Sequence, residues 1–245
     1  MSDPTDTRTM PPVSAMILAA GRGMRMRPLT DHTPKPLLPV RGRALMDWPL
    51  HTLLDAGVHD IVVNTAWLGE QIEAHCAAWP DARARIRVSS EGRDFGYALE
   101  TAGGVVRALP ALGEVFWVLA GDVFAPDFVF QPETVRRFID SEALAHIWLV
   151  PNPEHNPRGD FRFEPITTSV HADGTPTHTF STVGLYKRAL FQAPWTDIPE
   201  GNPQGSAAPL APLLRRAMAA GRVSGEVYSG AWTDVGTPER LKALG

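Results

Sequence analysis

Between residues 19 and 35 the chain gathers the residue types that bind and polarise a polyphosphate. Gly21 and Gly23 present backbone N–H groups without side-chain obstruction, and Arg25 and Arg27 follow with planar, multidentate donors suited to phosphate oxygens. Ala20 and Met24 complete this loop, which starts directly after an apolar run. Lys35 then stands between Pro34 and Pro36. Proline fixes its own φ and restricts its predecessor, so this ammonium rides on a stiff segment and suits charge building on a transferring phosphoryl group. The spacing fits neither G-x-G-x-x-G nor the Walker lysine loop, which argues against a dinucleotide dehydrogenase or a P-loop NTPase. Taken singly, the same residues also describe a strand-to-helix turn with solvated arginines and a surface lysine in a proline-rich turn.

Such a loop needs a framework to hold it. Residues 13–20 read as a buried parallel strand entering a glycine loop. Met46, Leu50, Leu53 and Leu54 recur at helical spacing before Gly57, with the regular helix starting near Asp47. Strands at 61–64, 86–89 and 115–119 alternate with helices at 68–78 and 101–109. Alternation of this kind predicts a mostly parallel sheet with helices on both faces and ligands beyond the carboxyl ends of the strands. From residue 145 the apolar stretches 145–150, 161–163 and 179–186 are separated by Pro, Gly and Asn, which predicts an antiparallel extension covering the substrate. A helix at 210–220, a strand at 223–228 and a short helix at 238–244 with proline in its first turn close the chain. Residues 199–212, rich in Pro, Gly and Ala, are expected to form a mobile loop, residues 1–12 a disordered leader, and residues 13–245 one domain.

Composition narrows the function. With 245 residues, 44% of them hydrophobic, the chain can bury a sizeable core, and a formal net charge of -4 sets up no field that would draw it to nucleic acid or anionic lipid. The single cysteine, Cys76, excludes an internal disulfide framework and fits a reducing compartment. No stretch approaches the roughly 20 apolar residues of a membrane helix, so a cytoplasmic protein without a membrane partner is expected. The eight histidines show neither tight metal-ligand spacing nor a Gly-x-Ser-x-Gly partner, and no catalytic role is assigned to them. Trp67, Trp117 and Trp148 read as core residues.

Residues 16–30, MILAAGRGMRMRPLT, and 33–40, TPKPLLPV, resemble the signature of the sugar-1-phosphate nucleotidyltransferases. The likeness continues through Asn64 with Ala66 to Gly69, ETAGG at 100–104, Gly121-Asp122, Gly159-Asp160-Phe161 and WTDVGT at 232–237, all in family order. It implies a Rossmann-like, three-layer α/β/α nucleotidyltransferase fold with a small antiparallel sugar-binding extension. It also implies a reaction in which a sugar-1-phosphate oxygen attacks the α-phosphorus of a nucleoside triphosphate, with magnesium neutralising phosphate oxygens.

Carried over residue by residue, the resemblance makes Arg25 and Lys35 catalytic. It places Ala20, Gly21, Gly23, Met24, Arg25, Lys35, Glu91, Gly92, Glu100 and Gly103 around the nucleotide, and Asp122 and Asp234 on Mg2+. Asn152, Asp160 and Ser181 are expected to face the sugar, with Arg158 or the metal meeting its phosphate. Residues 93–99 form a longer segment than the resemblance leads one to expect. The short length, the GDF and TFS segments and residues 210–230 resemble most the branch that uses UTP to uridylylate the 1-phosphate of N-acetylmuramic acid in cell-wall recycling. The alternatives are the same transfer onto glucose-, mannose- or heptose-1-phosphate and, in another class, a catalytically silent nucleotide-sensing module. Monomer and small homo-oligomer both remain open.

Overall fold

A computed structural model describes residues 9–245. Along the first strand, β1 (Ser14–Leu18), Ala15 and Ile17 enter one apolar cluster while Met16 enters another, as the two-residue side-chain period of a strand covered on both faces requires. After β1 come a hairpin, β2 (Pro39–Val40) and β3 (Arg43–Ala44), then α1 (Asp47–Asp55), β4 (Asp60–Thr65), α2 (Gly69–Ala77) and β5 (Arg85–Ser90). Next are α3 (Glu91–Phe95), α4 (Glu100–Ala108), β6 (Val115–Ala120), β7 (Val123–Phe124), α5 (Pro132–Asp140) and β8 (Ala145–Val150). The chain ends through β9 (Phe161–Glu164), β10 (Ser169–His171), β11 (Thr177–Lys187), α6 (Leu210–Ala219), β12 (Val223–Val227), β13 (Thr233–Asp234) and α7 (Pro238–Lys242).

Nine strands form one sheet in the order β5-β4-β1-β6-β11-β8-β12-β10-β9. β5, β4, β1 and β6 are parallel neighbours, as are β8 and β12, and β11 runs antiparallel between β6 and β8. The antiparallel part is therefore β11 with its neighbours β8 and β9, together with β10, so β8 belongs to it as expected while its other edge pairs in parallel with β12. A register break in β11 between Phe180 and Gly184 bends that strand, and its first residues also pair with β9. As a result β11, β8, β12, β10 and β9 close on themselves beside the cleft.

Helices α1, α2 and α5 cover one face with Leu50, Leu53, Ile72, Val135 and Phe138, and α4 and α6 cover the other with Val105, Val106, Leu213, Leu214 and Ala217. Each of these Val, Leu, Ile and Phe side chains, fully buried, contributes about 1.5–3 kcal/mol. α5 forms where the sequence reading assigns no element. Cys76 packs in the α1–α2–α5 layer, and burial pushes its thiol up to about 12, as befits an inert core cysteine. Residues 1–8 of the expected leader lie outside the described residues, and Met10 packs on the same layer. The stretch expected as a mobile loop is tied down instead. Asn202, fully buried, donates to the carbonyls of Gly103 and Ser206, and Ala208 O accepts from Ala102 N at 2.9 Å. Among the described residues no helix is long and apolar enough to cross a membrane.

Candidate active site

Beyond the carboxyl ends of β1, β4 and β6 lies a third, small apolar cluster of Met26, Leu38, Val40, Leu45, Phe124 and Val235. It gathers four stretches that are distant in sequence, and each carries a chemically active neighbour: Arg25 beside Met26, Lys35 ahead of Leu38, Asp122 ahead of Phe124, and Asp234 beside Val235. Burial is non-directional, so it sets proximity only. Register comes from the β7–β13 ribbon, which pairs Asp234 with Val123 and lets Val235 N donate to Asp122 O at 3.0 Å.

A cleft of about 760 Å³ opens over this cluster. Ala20, Gly21, Gly23, Met24, Arg25, Lys35, Glu91, Glu100 and Asp122 all line it, so the structure brings together most of the residues named from sequence. Gly23 sits at φ 65°, where a side chain would be strained, and Thr30 Oγ1 donates to its carbonyl at 2.8 Å. Lys35 is 8% exposed and its ammonium pairs with Asp122. Arg25 has no carboxylate partner among the described residues, whereas Arg27, expected alongside it, turns away to Asp31 at 2.7 Å and does not line the cleft.

Along one wall the carboxylate of Glu91 is fully buried, accepting from Asn64 Nδ2 at 2.7 Å and from Leu99 N at 2.8 Å. Burial raises its pKa above the ordinary carboxylate value, against the opposing effect of those two donors. Gly92 and Gly103 stand behind this wall. A Cβ on Gly92 would lie 2.6 Å from Ala66 O and one on Gly103 2.5 Å from Ser206 O, so both permit close backbone packing. The long 93–99 segment docks on the 199–209 stretch, with Tyr97 OH donating to Gly205 O at 3.0 Å.

At the opposite end Val118, Phe161, Phe180, Tyr186, Leu210 and Leu214 form an apolar wall. Asn152, Asp160 and Ser181, expected to face the sugar, are not among the lining residues, because their polar atoms hold the backbone around β11. Asp160 Oδ2 accepts from Phe180 N at 2.8 Å, Ser181 Oγ donates to Trp148 O at 2.7 Å, and Asn152 Nδ2 donates to Thr177 O at 3.1 Å. Trp232 Nε1 fixes the Ser181 carbonyl at 3.1 Å. What these ties present to the cleft is Thr182, at φ 66°, with its hydroxyl buried and without a hydrogen-bond partner in the protein. Positive φ in a β-branched residue is a tertiary effect of the β11 bend, and nothing local in the sequence signals it.

Three further contacts are not signalled by the sequence. Asp234 is held by Arg240 of α7 and by His155 Nε2 at 2.9 Å, the histidine arriving from the 151–160 loop. Trp67, expected in the core, is half-buried, with the Arg22 guanidinium 3.3 Å from its ring centroid. Trp117 and Trp148 are core residues as expected. Among the described residues no group of three or more His, Cys, Asp or Glu forms a metal cluster. Asp122, its side chain 37% exposed, lines the cleft, whereas Asp234, 28% exposed and held by Arg240 and His155, is not among the lining residues.

Comparison with known proteins fits this arrangement. The nucleotidyl transferase family profile matches residues 14–167, and the chain belongs to that family of enzymes. It is 46% identical to the N-acetylmuramate α-1-phosphate uridylyltransferase of Neisseria meningitidis serogroup B over 94% of this chain and 96% of that one. The protein of the same name from Caulobacter vibrioides is 36% identical over 93% of each. A solved UDP-glucose pyrophosphorylase from Acinetobacter baumannii superposes with a TM-score of 0.73 over 94% of this chain and 91% of its own, at 17% identity, which establishes a shared fold.

Proposed function

We propose that the chain transfers a uridylyl group from UTP to N-acetylmuramic acid α-1-phosphate, giving UDP-N-acetylmuramic acid and pyrophosphate, as a step of cytoplasmic peptidoglycan recycling. The observation that carries this reading is the 46% identity, across nearly the whole of both chains, to an enzyme of that name. The cleft supports it with a cationic loop at one edge, the Asn64–Glu91 wall beside it and the apolar wall with Thr182 opposite. In this reading an acceptor phosphate oxygen bonds to the α-phosphorus while the bond to the pyrophosphate oxygen breaks in line. Lys35 and Arg25 offset the charge that builds on the transferred group, and the N–H groups around Gly21 and Gly23 orient the triphosphate. The apolar wall beside Thr182 suits the acetamido methyl of the acceptor.

The donor chemistry of Asp122 and Asp234 fits magnesium, which takes hard oxygen ligands and commonly one or two carboxylates beside phosphates and waters. When bound there, such an ion supplies positive charge to the phosphate oxygens. The test is pyrophosphate release from the purified chain with UTP, magnesium and a panel of sugar 1-phosphates. Release is expected with the muramate ester and is abolished by a chelator. Release with glucose-1-phosphate and none with the muramate ester would overturn the assignment.

A further inference from the structure

Arg22 and Trp67 belong to none of the expected binding sets, yet their contact lies at the edge of the cleft. We infer that Arg22, laid flat on the Trp67 indole, is a second phosphate-binding guanidinium that serves the pyrophosphate end of the nucleotide, with Trp67 as its positioning residue. An exposed arginine ordinarily samples many rotamers, whereas a guanidinium 3.3 Å from an indole centroid has its plane fixed before any ligand arrives. The indole is fixed in turn. Its Nε1 donates to Thr30 O at 2.8 Å, and the Thr30 hydroxyl holds the carbonyl of Gly23, the residue after Arg22. Gln71 Nε2 adds a second tie, to His32 O at 2.9 Å. Leu68, immediately after Trp67, is held at φ 49°, a strained conformation that the surrounding contacts maintain and that sets how the chain leaves the indole.

Charge points the same way. Of the cations on the segment 22–35, Arg27 is paired with Asp31 and Lys35 with Asp122, while Arg22 and Arg25 have no carboxylate partner among the described residues. Lys35 is buried beside Asp122, and Arg22 lines the exposed lip. A triphosphate laid along this loop puts the transferred phosphate at the Lys35 end and the leaving pyrophosphate at the Arg22 end. Charge grows on that leaving group as the bond to it breaks, so a preoriented guanidinium there acts on the reaction as well as on binding.

The inference rests on nucleotidyl transfer from a triphosphate, as proposed above, but not on which base or sugar is used, because pyrophosphate leaves in every case. Isothermal titration calorimetry of the whole protein in magnesium, with inorganic pyrophosphate, UTP and UMP as separate probes, tests it. Arg22→Met is expected to weaken pyrophosphate and UTP about 10-fold, the loss of one charge-assisted contact, and to leave UMP unchanged. Arg22→Lys recovers only part, since an ammonium cannot lie flat on the ring. Trp67→Leu, which keeps the charge and removes the platform, weakens pyrophosphate several-fold, and Trp67→Phe, which keeps an aromatic face, weakens it less. Thermal melting verifies that each variant is folded, and if Trp67→Leu is not, Trp67→Phe decides. Failure of the wild-type protein to bind pyrophosphate, an Arg22→Met variant that binds it normally, or equal weakening of UMP and UTP would overturn the role of Arg22. Unaltered pyrophosphate binding in the folded Trp67 variants would overturn the role of Trp67. A protein that binds pyrophosphate through Arg22 but rejects the muramate ester would leave this inference standing while the substrate assignment fell.

Discussion

The side-chain amide of Asn64 donates to the carboxylate of Glu91 at 2.7 Å, and this contact joins the two edges of the cleft. From the end of β4, Asn64 also accepts from Ala19 N at 2.8 Å, at the start of the glycine loop after β1, while Glu91 accepts from Leu99 N at 2.8 Å, just before α4. Replacing Asn64 by alanine would leave the Ala19 N–H and one Glu91 oxygen buried without partners. Each such group costs about 1–3 kcal/mol. Asn64→Ala should therefore lower the unfolding free energy in urea by more than about 1 kcal/mol, and a smaller loss would show that the tie is not structural.

Glu91 also gives a pH signature. Burial holds its pKa above the ordinary value, so the folded state binds the proton more tightly than the unfolded chain does. Its contribution to stability is fully present below the ordinary carboxylate pKa and is lost as pH rises through the higher folded value. Urea titrations of the wild type and of Glu91→Gln between about pH 4 and 7 isolate it. The stability of the wild type relative to the glutamine variant should fall with rising pH across that window. A difference that grows with pH would mean that the donors from Asn64 and Leu99 outweigh burial.

Lys35 and Asp122 form an ion pair in the cleft, and the β7–β13 ribbon sets the Asp234 backbone opposite Val123. Losing one preorganised charge partner in such a site costs about 10²–10³-fold in turnover. Lys35→Met is expected to show that loss in pyrophosphate release with its melting temperature little changed. Asp122→Asn and Asp234→Asn should in addition weaken Mn2+ binding followed by electron paramagnetic resonance. Near-normal turnover in the aspartate variants would contradict their assignment as metal carboxylates.

Two glycines separate ligand approach from packing. A Cβ on Gly21 would have nothing within 4 Å, whereas one on Gly103 would lie 2.5 Å from Ser206 O. Gly21→Ala should fold normally and raise the KM for UTP, because the added methyl obstructs the phosphate approach. Gly103→Ala should destabilise by about 1–3 kcal/mol as α4 is pushed from the 199–209 stretch. Thermal melts and steady-state kinetics on both variants test the distinction, which fails if Gly21→Ala leaves the UTP KM unchanged.

How much of this was legible in the sequence follows from how local each cause is. The β1 strand, the Lys35 turn between prolines and α7 with Pro238 in its first turn are written in short-range pattern, and the structure has them where the pattern puts them. The pairing of the Asp122 stretch with the Asp234 stretch depends on a two-residue ribbon, too short to carry periodicity, and only family order signalled it. The role of Asn202 was invisible because a Pro- and Gly-rich composition does not say whether a loop's backbone groups find partners. Arg22 on Trp67 and His155 on Asp234 are contacts between loops, for which one sequence offers no spacing rule.

Thr182 combines backbone strain with a place on the cleft wall. A β-branched residue at φ 66° carries a cost of about 1–3 kcal/mol, and its hydroxyl is buried without a protein partner. Both are held in place by contacts on either side: Asp160 on Phe180 N before it, and Trp148, Trp232 and Val183 on Ser181. Thr182→Gly removes the strain and the orphan hydroxyl together, and glycine's greater chain entropy offsets about 0.5–1 kcal/mol of that gain. The variant should therefore melt at or above the wild-type temperature. If the hydroxyl meets the acceptor, the same variant loses kcat/KM for the sugar 1-phosphate while the KM for UTP stays constant. Thr182→Val keeps the backbone strain and removes only the hydroxyl, so it should show the acceptor loss without the gain in stability. A Thr182→Val enzyme with an unaltered acceptor kcat/KM would place the hydroxyl outside sugar recognition and leave the strain at this position without a functional reason.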